Sequence, residues 1–523
     1  MSIRIRVAAL AVAGVLAAAG CAGPGAAAGP TATDAKPSRG AASPSARPSA
    51  SLPASLTGQR PSWQPCAAPE GGEKPGADWR CADVRVPLDY ARPDGGTIEI
   101  ALIRKEARDK GGRIGSLLFN FGGPGASGVD ILPRAAREYD GLNRRYDLVG
   151  FDPRGVARSS GVVCRDDREL AAAEGTDVTP DTAAEEAAFV EDGASFGAGC
   201  ARRSGTVIPH TTTSNTARDL DLIRHVLGDD KLNYFGISYG TQLGAAYAHL
   251  FPSRVGRTVL DAVVDPTADA TGHARNQTIG FQRALDNYFK STGESAAEGT
   301  ARTVRLLEGL DRRPLRVGDR TLTEGLAVTG IAITLYAESN WPLLTSALEK
   351  AERGDGSELL RLADWYNDRD EQGHYGTQSH SQRAISCADS SERPTGAQAK
   401  ALLPEFRGLS PVFGAFLAWD TAGWCARWPV KGERADQDVS APGAGPVLVV
   451  GTTGDPATPY EGAERMAKEL GAGVGVLVSN EGEGHGAYGT SSCVTKTVDA
   501  YLLDGKVPAY GKRCSSGTAR SGA

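Results

Sequence analysis

The run LNYFGISYGTQLGAAYAHLFP, from Leu232 to Pro252, decides the fold. It reads as a short apolar strand, the turn Gly236-Ile237-Ser238-Tyr239-Gly240, and an amphipathic helix. A serine in this frame between strand and helix marks a nucleophile elbow, a strained turn that projects the hydroxyl above the sheet; the flanking glycines remove side chains that would clash there. The pattern alone is weak, because 66 glycines in 523 residues produce about one such match by chance. A second match does occur at Gly193-Ala194-Ser195-Phe196-Gly197, but it follows the acidic stretch FVEDGA with no strand before it. Ser195 therefore reads as a loop serine, and context singles out Ser238.

Working outward, strand-like runs stand at ADVRVPL, TIEIALIRKEA, SLLFNF, YDLVGFD, KLNYF, RTVLDAVV, PVLVVG and VGVLVSN, separated by helical stretches. Several are continuously apolar, as expected of a parallel sheet covered on both faces, so the fold class is α/β. Between Pro266 and about Pro442 helical patterns such as FQRALDNYF and SELLRLADWYND replace the strands. This segment reads as an inserted helical cap over the carboxyl ends of the sheet, where open α/β sheets bind ligands. The expected organisation is an export signal over 1–20, a disordered Ala/Pro/Ser/Gly tether over 21–60, a first core part over 61–266, the cap over 267–442, a second core part over 443–515 and a disordered tail over 516–523.

Arg4 and Arg6 precede an apolar run from Val7 to Ala19 that ends in small residues before Cys21. The run is shorter than the roughly 20 residues that span a bilayer, and it reads as an export signal. Ala18-Ala19-Gly20-Cys21 resembles a lipoprotein box, with Cys21 as the lipidated residue; cleavage near Ala19 with full secretion is the alternative. Apart from Cys21, eight of the nine cysteines remain. In an oxidising compartment they read as disulfides, most simply paired in order: 66 with 81, 164 with 200, 387 with 425 and 493 with 514. No C-x-x-C pair or zinc-like Cys/His spacing suggests a metal. The charge is balanced, 57 Lys+Arg against 63 Asp+Glu, and nothing points to nucleic acid.

A serine hydroxyl needs an imidazole to take its proton, and the imidazole needs a carboxylate to fix its tautomer. With the nucleophile first, the acid second and the histidine last in chain order, His485 in GEGHGAYG is the expected base and Asp455, directly after PVLVVGTTG, the expected acid. Asp265 after RTVLDAVV is the rival acid, and a turn role before Pro456 is the competing use of Asp455. The oxyanion donors are expected from the amides of Tyr239 and of Gly123 in the loop after SLLFNF. That loop also spells G-x-G-x-x-G, from Gly123 to Gly128, with Asp152 ending the next strand, the dinucleotide fingerprint. Pro133 and the unexplained Ser238, Asp455 and His485 count against a nucleotide, and no cofactor is expected.

In this order the motifs resemble the secreted tripeptidyl aminopeptidase and prolyl aminopeptidase branch of the α/β-hydrolases. The carriers include FNFGGPGASG, YDLVGFDPRGVARSS, TARDLDLIRHVLG, the block from Leu232 through FPSRVGRTVLDAVVDP, LYAESNWPLL, AISCADS, GDPATPYEGA and GHGAYG, spread from about Cys66 to Cys514. The resemblance implies an exported serine exopeptidase acting on peptides with a free N-terminus, with the same three residues in the same roles. Such an enzyme needs a carboxylate near the cap for the substrate ammonium, and Glu338 and Asp389 are the candidates. An esterase or amidase for small metabolites, and a noncatalytic peptide-binding lipoprotein, are the alternatives. Contact with a membrane is expected only through a lipid on Cys21.

Overall fold

Apolar side chains that alternate between two faces build the centre of the molecule. The computed structural model describes residues 52–68, 73–433 and 438–515; the export signal, Cys21, the greater part of the tether and the tail lie outside them. All eight strand-like runs form strands. The full set is β1 (Gln64–Pro65), β2 (Trp79–Pro87), β3 (Thr97–Lys105), β4 (Gly115–Asn120), β5 (Tyr146–Phe151), β6 (Leu232–Ile237), β7 (Val255–Asp261), β8 (Leu315–Val317), β9 (Arg320–Leu322), β10 (Val447–Gly454), β11 (Gly475–Glu483) and β12 (Lys512–Ser515).

Ten of the strands make one sheet in the order β1-β2-β3-β5-β4-β6-β7-β10-β11-β12. The pairings from β5 across to β12 are parallel and those from β1 to β5 antiparallel. Every residue of β4 and β5 is buried, whereas β2 near the edge alternates. That difference is why the central strands read as unbroken apolar runs. Successive residues face opposite sides: Leu118, Val149, Tyr234 and Leu260 enter one core, and Leu117, Leu148, Phe235 and Val259 the other. A third core lies within the helical layer around Phe281, Leu285, Ile331 and Leu348.

Four expectations need correction. The ordered chain begins before residue 61: in the helix Ala54–Thr57, Leu56 is buried against the sheet. Gln59 also exchanges hydrogen bonds of 2.7 and 2.9 Å with the backbone of Arg85. The open edge of β2 offers unpaired backbone groups, and a single amide side chain can take them up. Secondly, the helical layer is not confined to 267–442. The helices Asp167–Ala173 and Ala183–Ser204, inserted between β5 and β6, contribute to it, with Phe196 and Cys200 packed among Ala270, Ala384, Cys425 and Trp428. Thirdly, Ser195 lies inside a helix and not in a loop; its Oγ donates to the carbonyl of Asp192. Gly193 beside it allows close packing, since a Cβ there would stand 2.3 Å from the Gly423 oxygen. Finally, the cap holds the small hairpin β8–β9. Among the described residues no helix is long and apolar enough to cross a membrane.

The four disulfides join the cysteines in sequential order: Cys66–Cys81, Cys164–Cys200, Cys387–Cys425 and Cys493–Cys514. Each restricts the unfolded chain, by about 3 kcal/mol for loops of this length. Reduction should therefore lower the calorimetric melting temperature by several degrees, and a transition that does not move with reductant would show that the bridges contribute nothing.

Candidate active site

Ser238 closes β6 with φ 57° and ψ −124°, a conformation that costs a non-glycine residue strain. The surroundings hold it there. Its amide donates to the carbonyl of Asp261 at the end of β7 (3.1 Å), and its own carbonyl accepts from the amide (2.8 Å) and hydroxyl (2.6 Å) of Thr241. Both flanking glycines are required by contact: a Cβ on Gly236 would lie 2.3 Å from the Gly240 oxygen, and one on Gly240 would lie 2.6 Å from the Asn120 oxygen at the end of β4. Gly240 therefore lets the helix Tyr239–Leu250 start hard against the neighbouring strand.

His485 lies on the loop after β11, and its Nδ1 lies 2.9 and 3.0 Å from the two carboxylate oxygens of Asp455. Asp455 is fully buried, and its turn role and its contact with the imidazole coincide. Oδ1 accepts from the amides of Ala457 (2.9 Å) and Thr458 (2.8 Å), and Oδ2 accepts from the Thr458 hydroxyl (3.0 Å). With Nδ1 donating to the carboxylate, Nε2 is left as the proton acceptor. Ser238 Oγ and His485 Nε2 are both buried, and neither has a hydrogen-bond partner among the described residues. The rival Asp265 is engaged elsewhere, by Thr267, Asn276 and the guanidinium of Arg465.

Two anchors fix the histidine loop. Its amide donates to the carbonyl of Tyr336 in the helical layer (2.8 Å), with the Tyr336 ring edge-on to the imidazole at 5.2 Å. From below, the buried carboxylate of Asp261 accepts from the amides of Ala487 (3.0 Å) and Tyr488 (2.9 Å). Burial pushes the Asp261 carboxyl upward, against the pull of those two amides. Sequence reading missed Asp261 and Thr458. The signals were an acid ending the strand after the elbow and a hydroxyl three residues beyond Asp455.

Gly122, Gly123 and Gly125 all have positive φ. At Gly125 a Cβ would stand 2.6 Å from the Gln378 oxygen and 2.9 Å from the Gln382 amide, so the loop packs backbone to backbone on the helix Gln378–Asp389. The amides of Gly123 and Tyr239 donate no hydrogen bond to a described residue. Asp152, the acid of the dinucleotide reading, instead turns inward. It accepts from the Ser127 hydroxyl (2.6 Å) and from the amides of Val129 (3.1 Å) and Arg158 (3.2 Å), and burial pushes its carboxyl up to about 6. Committed to this loop, it has no role toward a ribose.

Of the two amine candidates, Glu338 is exposed on the turn Glu338–Asn340, close enough to Glu483 to raise that carboxyl further. Asp389 has both oxygens occupied by the amide (2.7 Å) and hydroxyl (2.6 Å) of Thr213, which in turn meets the Tyr239 hydroxyl. It braces the residue that follows Ser238, and desolvation pushes its carboxyl up to about 7. Neither acid lines the cavity of about 360 Å³ that lies within the helical layer beside these loops. Elsewhere Asp177, Asp311 and Glu324 bring carboxylate oxygens within 4.8 Å of one another, the one such acidic group with metal-like spacing among the described residues.

A family model described as TAP-like protein matches residues 410–514. The serine protease Hip1 of Mycobacterium tuberculosis is 36% identical, over 87% of this chain and 91% of its own. Tripeptidyl aminopeptidase of Streptomyces lividans is 32% identical over 87% and 86%, and carboxylesterase B of Mycobacterium tuberculosis 34% identical over 83% and 86%. The chain belongs to this tripeptidyl aminopeptidase-like family of α/β-hydrolases, and it is a serine hydrolase.

Removing the Asp261 carboxylate orphans two buried amides under the imidazole loop. Asp261→Ala should cost about 2 kcal/mol in urea unfolding and lower ester turnover at least tenfold. Wild-type stability and turnover in this variant would show that the loop stands without it.

Proposed function

We propose that this protein is an exported serine exopeptidase that removes short peptides, three residues at a time, from the free N-termini of peptides. The observation that carries the chemistry is the Asp455–His485 contact, which leaves Nε2 as an acceptor without a partner in the same site as an equally unpartnered Ser238 hydroxyl. In this reading Ser238 Oγ attacks the scissile carbonyl carbon while His485 Nε2 takes its proton. The oxyanion is met by the amides of Gly123 and Tyr239. His485 then gives the proton to the leaving amine, the C–N bond breaks, and an acyl ester on Ser238 remains. Water, deprotonated by His485, hydrolyses that ester. Asp455 holds the imidazole in place and stabilises the imidazolium.

The substrate class rests on the relatives named serine protease and tripeptidyl aminopeptidase. The relative named carboxylesterase B favours the second reading, an esterase, since the same triad cleaves both bonds. Export is supported by the four disulfides, which persist in oxidising compartments. With the signal over 1–20 and a lipid on Cys21, the enzyme would meet its peptides at the cell surface.

Mass spectrometry of a ten-residue peptide, free or acetylated at its N-terminus, tests this reading. Stepwise loss of three-residue units is expected from the free peptide only, and none with Ser238→Ala. Intact peptide in every tube, with ester cleavage retained, would favour the esterase.

A further inference from the structure

We infer that Asp389 is a positioning residue for the oxyanion hole: through Thr213 it fixes the Tyr239 side chain, and with it the direction of the amide beside Ser238. This rests on the acyl-transfer reading above, in which that amide meets the oxyanion.

The amide needs such a support. Tyr239 is the first residue of the helix Tyr239–Leu250, and a helix leaves its first N–H groups without partners inside it. No hydrogen bond to a described residue aims this N–H, whereas an oxyanion donor must lie within about 3 Å of one point in space. The side chain supplies the constraint. Its ring is buried in the core that holds Tyr234 and Leu243, and its hydroxyl meets Thr213 Oγ1 at 2.5 Å. Thr213 Oγ1 lies 2.6 Å from one carboxylate oxygen of Asp389, and the Thr213 amide donates to the other at 2.7 Å. A carboxylate only accepts, so the Thr213 hydroxyl donates to Asp389 and the Tyr239 hydroxyl donates to Thr213. In such a chain each hydrogen bond strengthens the next. Held at the far end of its ring, Tyr239 has little freedom to turn its amide.

The chain of bonds is anchored on both sides. Thr213 opens the helix Thr213–Val226, so Asp389 takes up an orphan N–H at a helix N-terminus, where negative charge is favoured. Further along the same helix the buried carboxylate of Asp219 accepts from Arg154 Nε (2.7 Å) and Nη2 (2.6 Å) and from the Tyr90 hydroxyl (2.8 Å), which pins the helix to the loop after β5. Asp389 ends the helix Gln378–Asp389, and the other end of that helix packs on Gly125, two residues beyond Gly123. One helix of the layer thus touches the segments of both oxyanion donors. Nothing else engages Asp389. Among the described residues no cation pairs with it, and the charge that acts on it is a second acid, Glu433. Burial makes ionisation costly there, and the two Thr213 donors offset that cost.

Ester kinetics and the affinity of a trifluoromethyl ketone, whose adduct with a serine carries an oxyanion, test this on the full chain. The variants are Tyr239→Phe, Asp389→Asn and the two combined. Each single change should lower kcat about 10- to 100-fold, short of the roughly 10²- to 10³-fold loss on removing a donor outright. KM should stay as in wild type, and affinity for the ketone should fall by the same factor as kcat. The combined variant should lose no more than the worse single one, because both changes break one chain. If Asp389→Asn shows no cooperative urea transition, Thr213→Val takes its place. Losses that multiply in the combined variant, a rise in KM with kcat unchanged, or wild-type kinetics in Tyr239→Phe overturn the positioning role while leaving the acyl-transfer reading intact. Wild-type enzyme that does not bind the ketone, or Ser238→Ala with undiminished ester turnover, overturns that reading and this inference with it.

Discussion

Asp261 joins the two halves of the chemistry, and the geometry of the site depends on it. Its carbonyl holds the amide of Ser238, and its carboxylate holds the amides of Ala487 and Tyr488, 226 and 227 residues further along the chain. Ser238 and the imidazole loop are thus fixed to the same residue at the same strand end. The arrangement is costly, because the carboxylate is buried and its neighbours include a second acid, Asp455. No apolar residue could take its place, since the two amides would then be buried without acceptors.

The helical layer is fitted to the same strand ends along one helix, Ala270–Thr292. Gly280 brings its backbone close to the acid turn, with a Cβ there only 2.3 Å from the Pro456 oxygen. Gln277 reaches the carbonyl of Ala457, Arg283 reaches the carbonyl of Thr453 and the carboxylate of Glu461, and Asn287 meets Glu483. These residues recur about once per helical turn, so a single face spans the loop carrying Asp455 and the end of the strand leading to His485.

What was legible in the sequence follows from how local each determinant is. The eight principal strands show as apolar runs because both faces of the sheet are covered. The elbow around Ser238 shows because a turn this tight admits only glycine at its flanks, and the disulfide pairing because each partner is the next cysteine in the chain. What escaped depends on contacts distant in sequence. Asp261 reads as any acid at a strand end until the loop after β11 comes to rest on it. Asp389 reads as a free acid until Thr213 occupies both its oxygens. The acidic stretch FVEDGA with no strand before it suggested a loop around Ser195, whereas Gly193 lets a helix there approach the backbone of Gly423.

The bond from the His485 amide to the Tyr336 carbonyl crosses from the catalytic domain to the layer above it. Ser238 Oγ and His485 Nε2 are both buried, with Tyr336 of that layer against the imidazole. Any displacement that carries Tyr336 off the imidazole also severs the backbone support of that imidazole. The position of the imidazole is therefore tied to the helical layer through one backbone hydrogen bond, so a change in how that layer sits on the sheet is felt directly at His485.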